Sequence, residues 1–268
     1  MYAGTTIRRH SGWLLGVHQR IDRVARRHFE KMTPTGTFFP TKKNILHFEG
    51  NNGPDAIKRK SPSRDEPWHF INPKQPNDRA LIDLINDHYT NLAKSLRKKD
   101  EQRAAFEAAW LSHAIVDGLT PAHHYPLADK IEELWGKPHY ERNSVRDKNI
   151  IKGENRRDSI AKNWQYWGSG GIFSRHVLFE FGVATSILFS PFTAMSVTKR
   201  ERKEVEQKGI EPIFRRAMKD IVAMRMYERL AKQGWTHVLA TESREVLVPR
   251  IIKTVCLAWY GAAMEAQK

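Results

Sequence analysis

The 268-residue chain carries 45 Lys and Arg against 30 Asp and Glu, a formal charge of +15 at pH 7. Its 40% hydrophobic content, with eight Trp and twelve Phe, excludes a disordered polymer, and the length suffices for one sizeable core. A single cysteine, Cys256, excludes a disulfide framework and any multi-cysteine metal site, so a metal here must be held by His, Asp and Glu.

Residues 1–10 contain no apolar run suited to a signal peptide. Residues 11–32 predict a first helix, because Leu14, Leu15, Val17, Ile21, Val24, Ala25 and Phe29 recur near helical spacing. His18 lies within it; a lone histidine on a partly apolar helix is usually a satisfied core residue. From 33 to 75 the pattern dissolves into Pro, Gly, Asn and charge, and long connections inside compact domains are usually functional. This stretch holds Asp55, just after the turn-forming Gly53-Pro54, and His69 between Trp68 and Phe70. Lys58, Arg59, Lys60 and Arg64 lie between them and read first as a solvated charged loop.

Helical patterning resumes with Asp78 as N-cap, followed by Leu81, Ile82, Leu84, Ile85, Tyr89 and Leu92. A further helix is predicted from about 100 to 116, ending near Gly118. Its end carries the strongest local signal, His113-x3-Asp117-x5-His123. Residues four apart stack on one helix face, and Gly118 and Pro121 break the helix so that His123 can turn back to the same point. Imidazole nitrogen and carboxylate oxygen are the ligands that zinc accepts at about 2 Å.

A basic, asparagine-rich loop is expected over 137–155, then helices over 174–189, 212–233 and 243–266, with an exposed charged stretch at 199–208. His176-x3-Glu180 lies among apolar neighbours, and a buried carboxylate or imidazole is costly unless paired or metal-bound. An ordinary His–Glu hydrogen bond is the alternative. The apolar stretch 181–197 is near the minimum spanning length, but Pro191 and its Ser and Thr favour a buried, broken helix over a membrane span. Cys256 sits in an apolar run and reads as a buried thiol. No strand pair or internal repeat is visible. The expected fold is an all-α, single multi-helix domain over 1–268, with a cytoplasmic location and peripheral membrane contact allowed.

The order His18, Asp55-x13-His69, His113-x3-Asp117-x5-His123, His176-x3-Glu180 resembles the bacterial zinc-dependent phospholipase C family and the related zinc-dependent single-strand nucleases. The resemblance covers about 13–180, leaving helices over 198–266 to complete the core. It implies a helical fold with two or three zinc ions in a cleft. One zinc would take Asp55, His69, His113 and Asp117; a second, His123, His176 and Glu180; a third, His18 and the other oxygen of Asp117. In the family the third zinc also takes the terminal amine and carbonyl of a tryptophan. Here Trp13 stands five residues before His18, the nuclease-branch interval, but twelve residues precede it. Unless the chain is cut before Trp13, either His10, a water or a non-terminal carbonyl substitutes for the terminal amine, or the third zinc is weakly held.

The implied chemistry is hydrolysis of a phosphodiester by zinc-activated hydroxide, with Asp55 orienting or deprotonating the water. The charge fits nucleic acid, anionic lipid or a phosphorylated substrate alike. The His-x3-Glu ending favours phospholipase C-like cleavage of a phospholipid at a membrane surface. A nuclease acting on single strands, with Trp68, Phe70, Trp135 and Tyr140 as stacking candidates, is the alternative. A non-catalytic zinc- or polyanion-binding module is the third reading.

Overall fold

The computed structural model describes residues 1, 16–50, 52–62, 69–124, 127–192 and 196–268, and among these every regular element is helical, with no strand. Helix α1 (Val17–Met32) turns Val17, Ile21, Val24, Ala25 and Phe29 inward, the stripe expected from the sequence. Residues 11–15 of that predicted helix lie outside the described residues. The stretch 33–75 is not wholly a connection. It contains α2 (Lys42–Glu49), capped by the Thr41 side chain accepting from Asn44 N, and α3 (Pro54–Lys60), with proline in its first turn. Short helices carry little periodicity of their own, and α2 is held by packing on α1 and on the later helix α5 (Glu101–Gly118).

Helix α4 (Ala80–Arg97) begins after Asp78, but Asp78 does not cap it. Its Oδ2 accepts from Asn72 N at 2.8 Å and closes the preceding turn, and Arg79 takes the cap position. Helix α5 (Glu101–Gly118) is capped by Asp100, which accepts from Arg103 N at 3.0 Å, and it packs along α4. A 3₁₀ turn, Pro121–His123, follows the break at Gly118.

The predicted loop 137–155 contains a 3₁₀ turn (His139–Glu141) and α7 (Val145–Asn149) between α6 (Leu127–Trp135) and α8 (Arg156–Trp167). Helix α9 (Ile172–Ser186) ends ahead of Pro191, so the apolar stretch 181–197 is not one helix. The charged stretch 199–208 is itself a helix, α10 (Lys199–Lys208), with a Thr198–Glu201 capping box. Residues 212–233 are divided into α11 (Glu211–Ala223) and α12 (Met226–Gln233) by Arg225, whose φ of 51° is left-handed. Helix α13 (His237–Glu242) and a π turn (Ser243–Leu247) lead into α14 (Val248–Glu265).

Helix α14 is the axis of the core, packed on α1, α4, α5 and α10. Trp259 is fully buried there and donates Nε1–H to the Ala108 carbonyl at 3.0 Å. Cys256 is buried as expected, and burial pushes its thiol up to about 12. His237–Glu265 is long and apolar enough to cross a membrane, but 78% of its apolar window is buried against the other helices. Helices α6 and α8 enclose a second, smaller cluster of Trp135, Ile151 and Tyr166.

Candidate metal centre

All eight predicted ligands lie among the described residues, and the fold gathers them from four α-helices, the 3₁₀ turn at His123 and the connecting segment at His69. Helix α5 supplies His113 and Asp117 from one face, both buried. Gly118 directly behind Asp117 lets Phe214 and Leu81 approach so closely that a Cβ would lie within 2.8 Å of each. Gly182, next to Glu180 on α9, likewise admits the Trp235 ring. Both glycines press ligand-bearing helices against the core.

The donors form two groups, each with donor atoms within 4.8 Å of one another: His18, His113 and Asp117, and His123, His176 and Glu180. Donors about 2 Å from a common ion lie about 3–4 Å apart, so the individual carboxylate–imidazole distances are the informative ones. In the first group, His18 Nε2 lies 3.2 Å from Asp117 Oδ1 and His113 Nε2 lies 3.2 Å from Asp117 Oδ2. The two imidazoles are stacked, with centroids 4.1 Å apart. In the second, Glu180 Oε1 lies 2.9 Å from His176 Nε2 and 3.2 Å from His123 Nε2. Asp117 Oδ2 lies 3.6 Å from His123 Nδ1, so the groups adjoin. His124 turns away, its Nε2 2.6 Å from the Gly118 carbonyl.

The second group matches the set expected for one zinc. The first differs: His18 joins His113 and Asp117, whereas Asp55 and His69 stand further off. Asp55, in the first turn of α3, is 3.7 Å from His113 Nε2. His69 Nε2 is 2.8 Å from Lys58 Nζ, which is 4.0 Å from Asp55. Lys58 is thus part of the cluster rather than a solvated loop residue. The backbone carbonyl of His69 faces His123 Nδ1 at 3.0 Å and fixes that ring. Trp13 and His10 lie outside the described residues, whereas the Met1 ammonium is buried 2.8 Å from Asp117 and 3.4 Å from Glu180. Two ammonium groups therefore sit among the carboxylates.

This packing drives the charges apart. Burial opposes the Asp117 carboxylate, yet His123, the Met1 ammonium and His113 hold its pKa well below the usual range. Glu180 is likewise held low, against burial, by the Met1 ammonium and His176. Burial pushes His113 down, but Glu49 and Asp117 outweigh it and raise its pKa well above normal. His123 is pulled down to about 4 by burial, against Asp117.

Behind the ligands lies a layer that the sequence motifs do not contain. Glu49, fully buried at the end of α2, places Oε1 2.9 Å from His113 Nδ1 and 3.4 Å from His18 Nδ1. Asp22 accepts from Ser112 Oγ at 2.5 Å, and burial beside Glu49 pushes its carboxyl well above normal. A narrow cleft at the cluster, lined by Asp55, Lys58, His69, Trp110 and His88, has a free volume of about 10 Å³, about what one water needs. His88 Nδ1 is held 2.5 Å from the buried Glu107. The available signals were lone carboxylates in apolar helical runs, Ala104-Ala105-Phe106-Glu107-Ala108-Ala109 above all, where a buried charge demands a partner. Of the stacking candidates, Tyr140 is exposed, Phe70 is half-buried, Trp135 is core, and Trp68 lies outside the described residues.

The donor chemistry of the two groups, imidazole and carboxylate, fits a divalent ion of zinc type, and His113 Nδ1 is anchored on Glu49 with His18 Nδ1 3.4 Å from the same oxygen. Neither ring nitrogen of buried His18 makes a hydrogen bond among the described residues, and orphaned buried nitrogens of this kind fit a metal-ligand role. No family model matches the chain, and comparisons with characterised proteins and with solved structures find no match.

Proposed function

We propose that the protein is a zinc-dependent hydrolase of phosphodiester bonds, of the phospholipase C type, acting on phospholipids. The observation carrying this reading is the pair of adjoining buried groups, His18–His113–Asp117 and His123–His176–Glu180, on a helical scaffold whose ligand order resembles that family. When bound, zinc supplies Lewis acidity towards a phosphoryl oxygen and brings water within reach of deprotonation near neutral pH.

The chain's own residues supply the rest. Glu49 and the His69 carbonyl orient the imidazoles. Asp55, at the edge of the cluster with a quarter of its side chain exposed, accepts a proton from the attacking water at Oδ1. Lys58, beside it, is placed to pair with a non-bridging phosphate oxygen once it leaves His69. Since the cleft admits little more than a water, substrate entry requires Lys58 to move.

Zinc-loaded protein incubated with a short-chain phosphatidylcholine, and separately with a single-stranded oligonucleotide, tests the reading. Hydrolysis of the lipid, reduced to background by His113→Ala, is expected. Asp55→Asn should keep its zinc and lose at least ~100-fold in turnover. Cleavage of the oligonucleotide alone would move the assignment to the nuclease branch. Silence on both with zinc bound would leave a binding module.

A further inference from the structure

Helix α8 is built the wrong way round for a core helix. Of its residues only Tyr166 is buried, whereas Ile160, Trp164 and Trp167, spaced four and three apart on one face, are 64%, 69% and 41% exposed. Ile150, 47% exposed, faces them across a groove of about 540 Å³. Single exposed apolar residues are ordinary, but a contiguous patch of large ones marks an interaction surface. The groove is firmly held. Asn163 bonds both the N–H and the carbonyl of Ile151, at 3.1 and 2.7 Å, and Trp167 Nε1 donates to the Asn149 carbonyl at 3.0 Å.

We infer that this groove docks the protein on an anionic phospholipid surface, an inference that rests on the proposed phospholipase reading for the identity of the substrate. Three observations point to that occupant. The rim carries Arg146, Lys152 and Arg156, and no carboxylate lines it among the described residues. Lys152 is 3.7 Å from Asp147, an exposed pair of little consequence, while Arg146 and Arg156 have no carboxylate partner among the described residues. Indole rings beside cations suit the headgroup level of a bilayer, where the ring body meets acyl chain and the cation meets phosphate. The tips of Ile150 and Ile160 suit acyl chains, whereas a single-stranded nucleic acid recognised by stacking has no use for them.

The groove also abuts the metal centre. Trp167 packs on Phe173 with centroids 4.6 Å apart, and Phe173 stacks on the ligand His176 at 6.4 Å with an interplanar angle of 11°. A lipid seated at Trp167 is therefore one aromatic ring from the cluster.

The test uses full-length protein, co-sedimented with vesicles of phosphatidylglycerol and phosphatidylcholine or of phosphatidylcholine alone. Binding should favour the anionic vesicles and weaken with salt. Arg146→Glu/Arg156→Glu should reduce it at least tenfold, and Trp164→Ala by about tenfold, with melting curves and zinc content confirming that both fold. Brominated acyl chains should quench wild-type tryptophan fluorescence and quench Trp164→Ala less. Vesicle binding that is absent, or equal in wild type and variants, overturns the inference, as does loss in the variants of oligonucleotide affinity alone. Wild-type hydrolysis of a soluble short-chain lipid is read separately. Groove-dependent vesicle binding without hydrolysis supports the docking surface and refutes the reaction; hydrolysis without vesicle binding does the reverse.

Discussion

Glu49 governs the first donor group without belonging to it. Its single oxygen Oε1 faces the Nδ1 atoms of two stacked imidazoles, whose Nε2 atoms reach opposite oxygens of Asp117. The Glu49 contact on His113 Nδ1 turns that ring's Nε2 towards the cluster, the nitrogen a metal would take once its proton is displaced. Glu49→Gln removes the charge while keeping the shape. It should lower zinc affinity about 10–100-fold in competition with a chromophoric chelator, with helical content unchanged. Unaltered affinity would show that the rings are set by packing alone. Of the eight candidate ligands, those with a local signal are His113, Asp117, His123, His176, Glu180 and Asp55, through two four-residue helical pairs, the helix-breaking Gly118 and Pro121, and a turn before Asp55; His18 and His69 stand out only through the family resemblance. Glu49, Asp22 and Glu107 were not legible, because their partners lie on other helices and no local spacing records them. His18 and Asp22 do repeat the His-x3-Asp interval of His113 and Asp117, yet Asp22 turns to Ser112 instead.

Among the elements, α5 was legible throughout, since cap, length and stop signals agree with its packing. Helix α8 was hidden for the opposite reason, as its large apolar residues face outward and predict no buried stripe. Helices α2 and α3 are too short for periodicity and depend on tertiary contact. The break at Arg225 rests on a left-handed residue that is not glycine and leaves no mark in the sequence. One tie between elements yields a pH prediction. Glu211, opening α11, accepts from Arg79, Asn86 and Arg215, and these bonds, led by Arg79, lower its pKa from 4.5 to about 2. A depressed carboxyl contributes stability that is fully present above 4.5 and is lost as pH falls towards about 2. Because the site is largely solvated, the contribution is of order ~1 kcal/mol or less. Glu211→Gln should lower the melting temperature by about 2–4 °C at pH 7, and the gap should close between pH 4.5 and 2. A gap independent of pH would assign the effect to packing.

At the scale of the whole molecule, one core built around α14 sets the positions of α1, α4 and α5 and takes in the inner face of α9 through Phe179 and Val183, while the α6–α8 region holds a separate, smaller cluster. The donor cluster is held by this one core, with His18 from α1, His113 and Asp117 from α5 and His176 and Glu180 from α9. The excess of positive charge belongs to the molecule as a whole, and the groove beside α8 combines it with exposed aromatic rings next to the cluster. The proposed chemistry requires divalent ions to bind between those side chains. Crystals grown with zinc and measured either side of its absorption edge test this directly. Anomalous peaks are expected within the His18–His113–Asp117 and His123–His176–Glu180 groups, lost in His113→Ala at the first. A map without zinc at either group, or with zinc only on surface histidines, would contradict that chemistry.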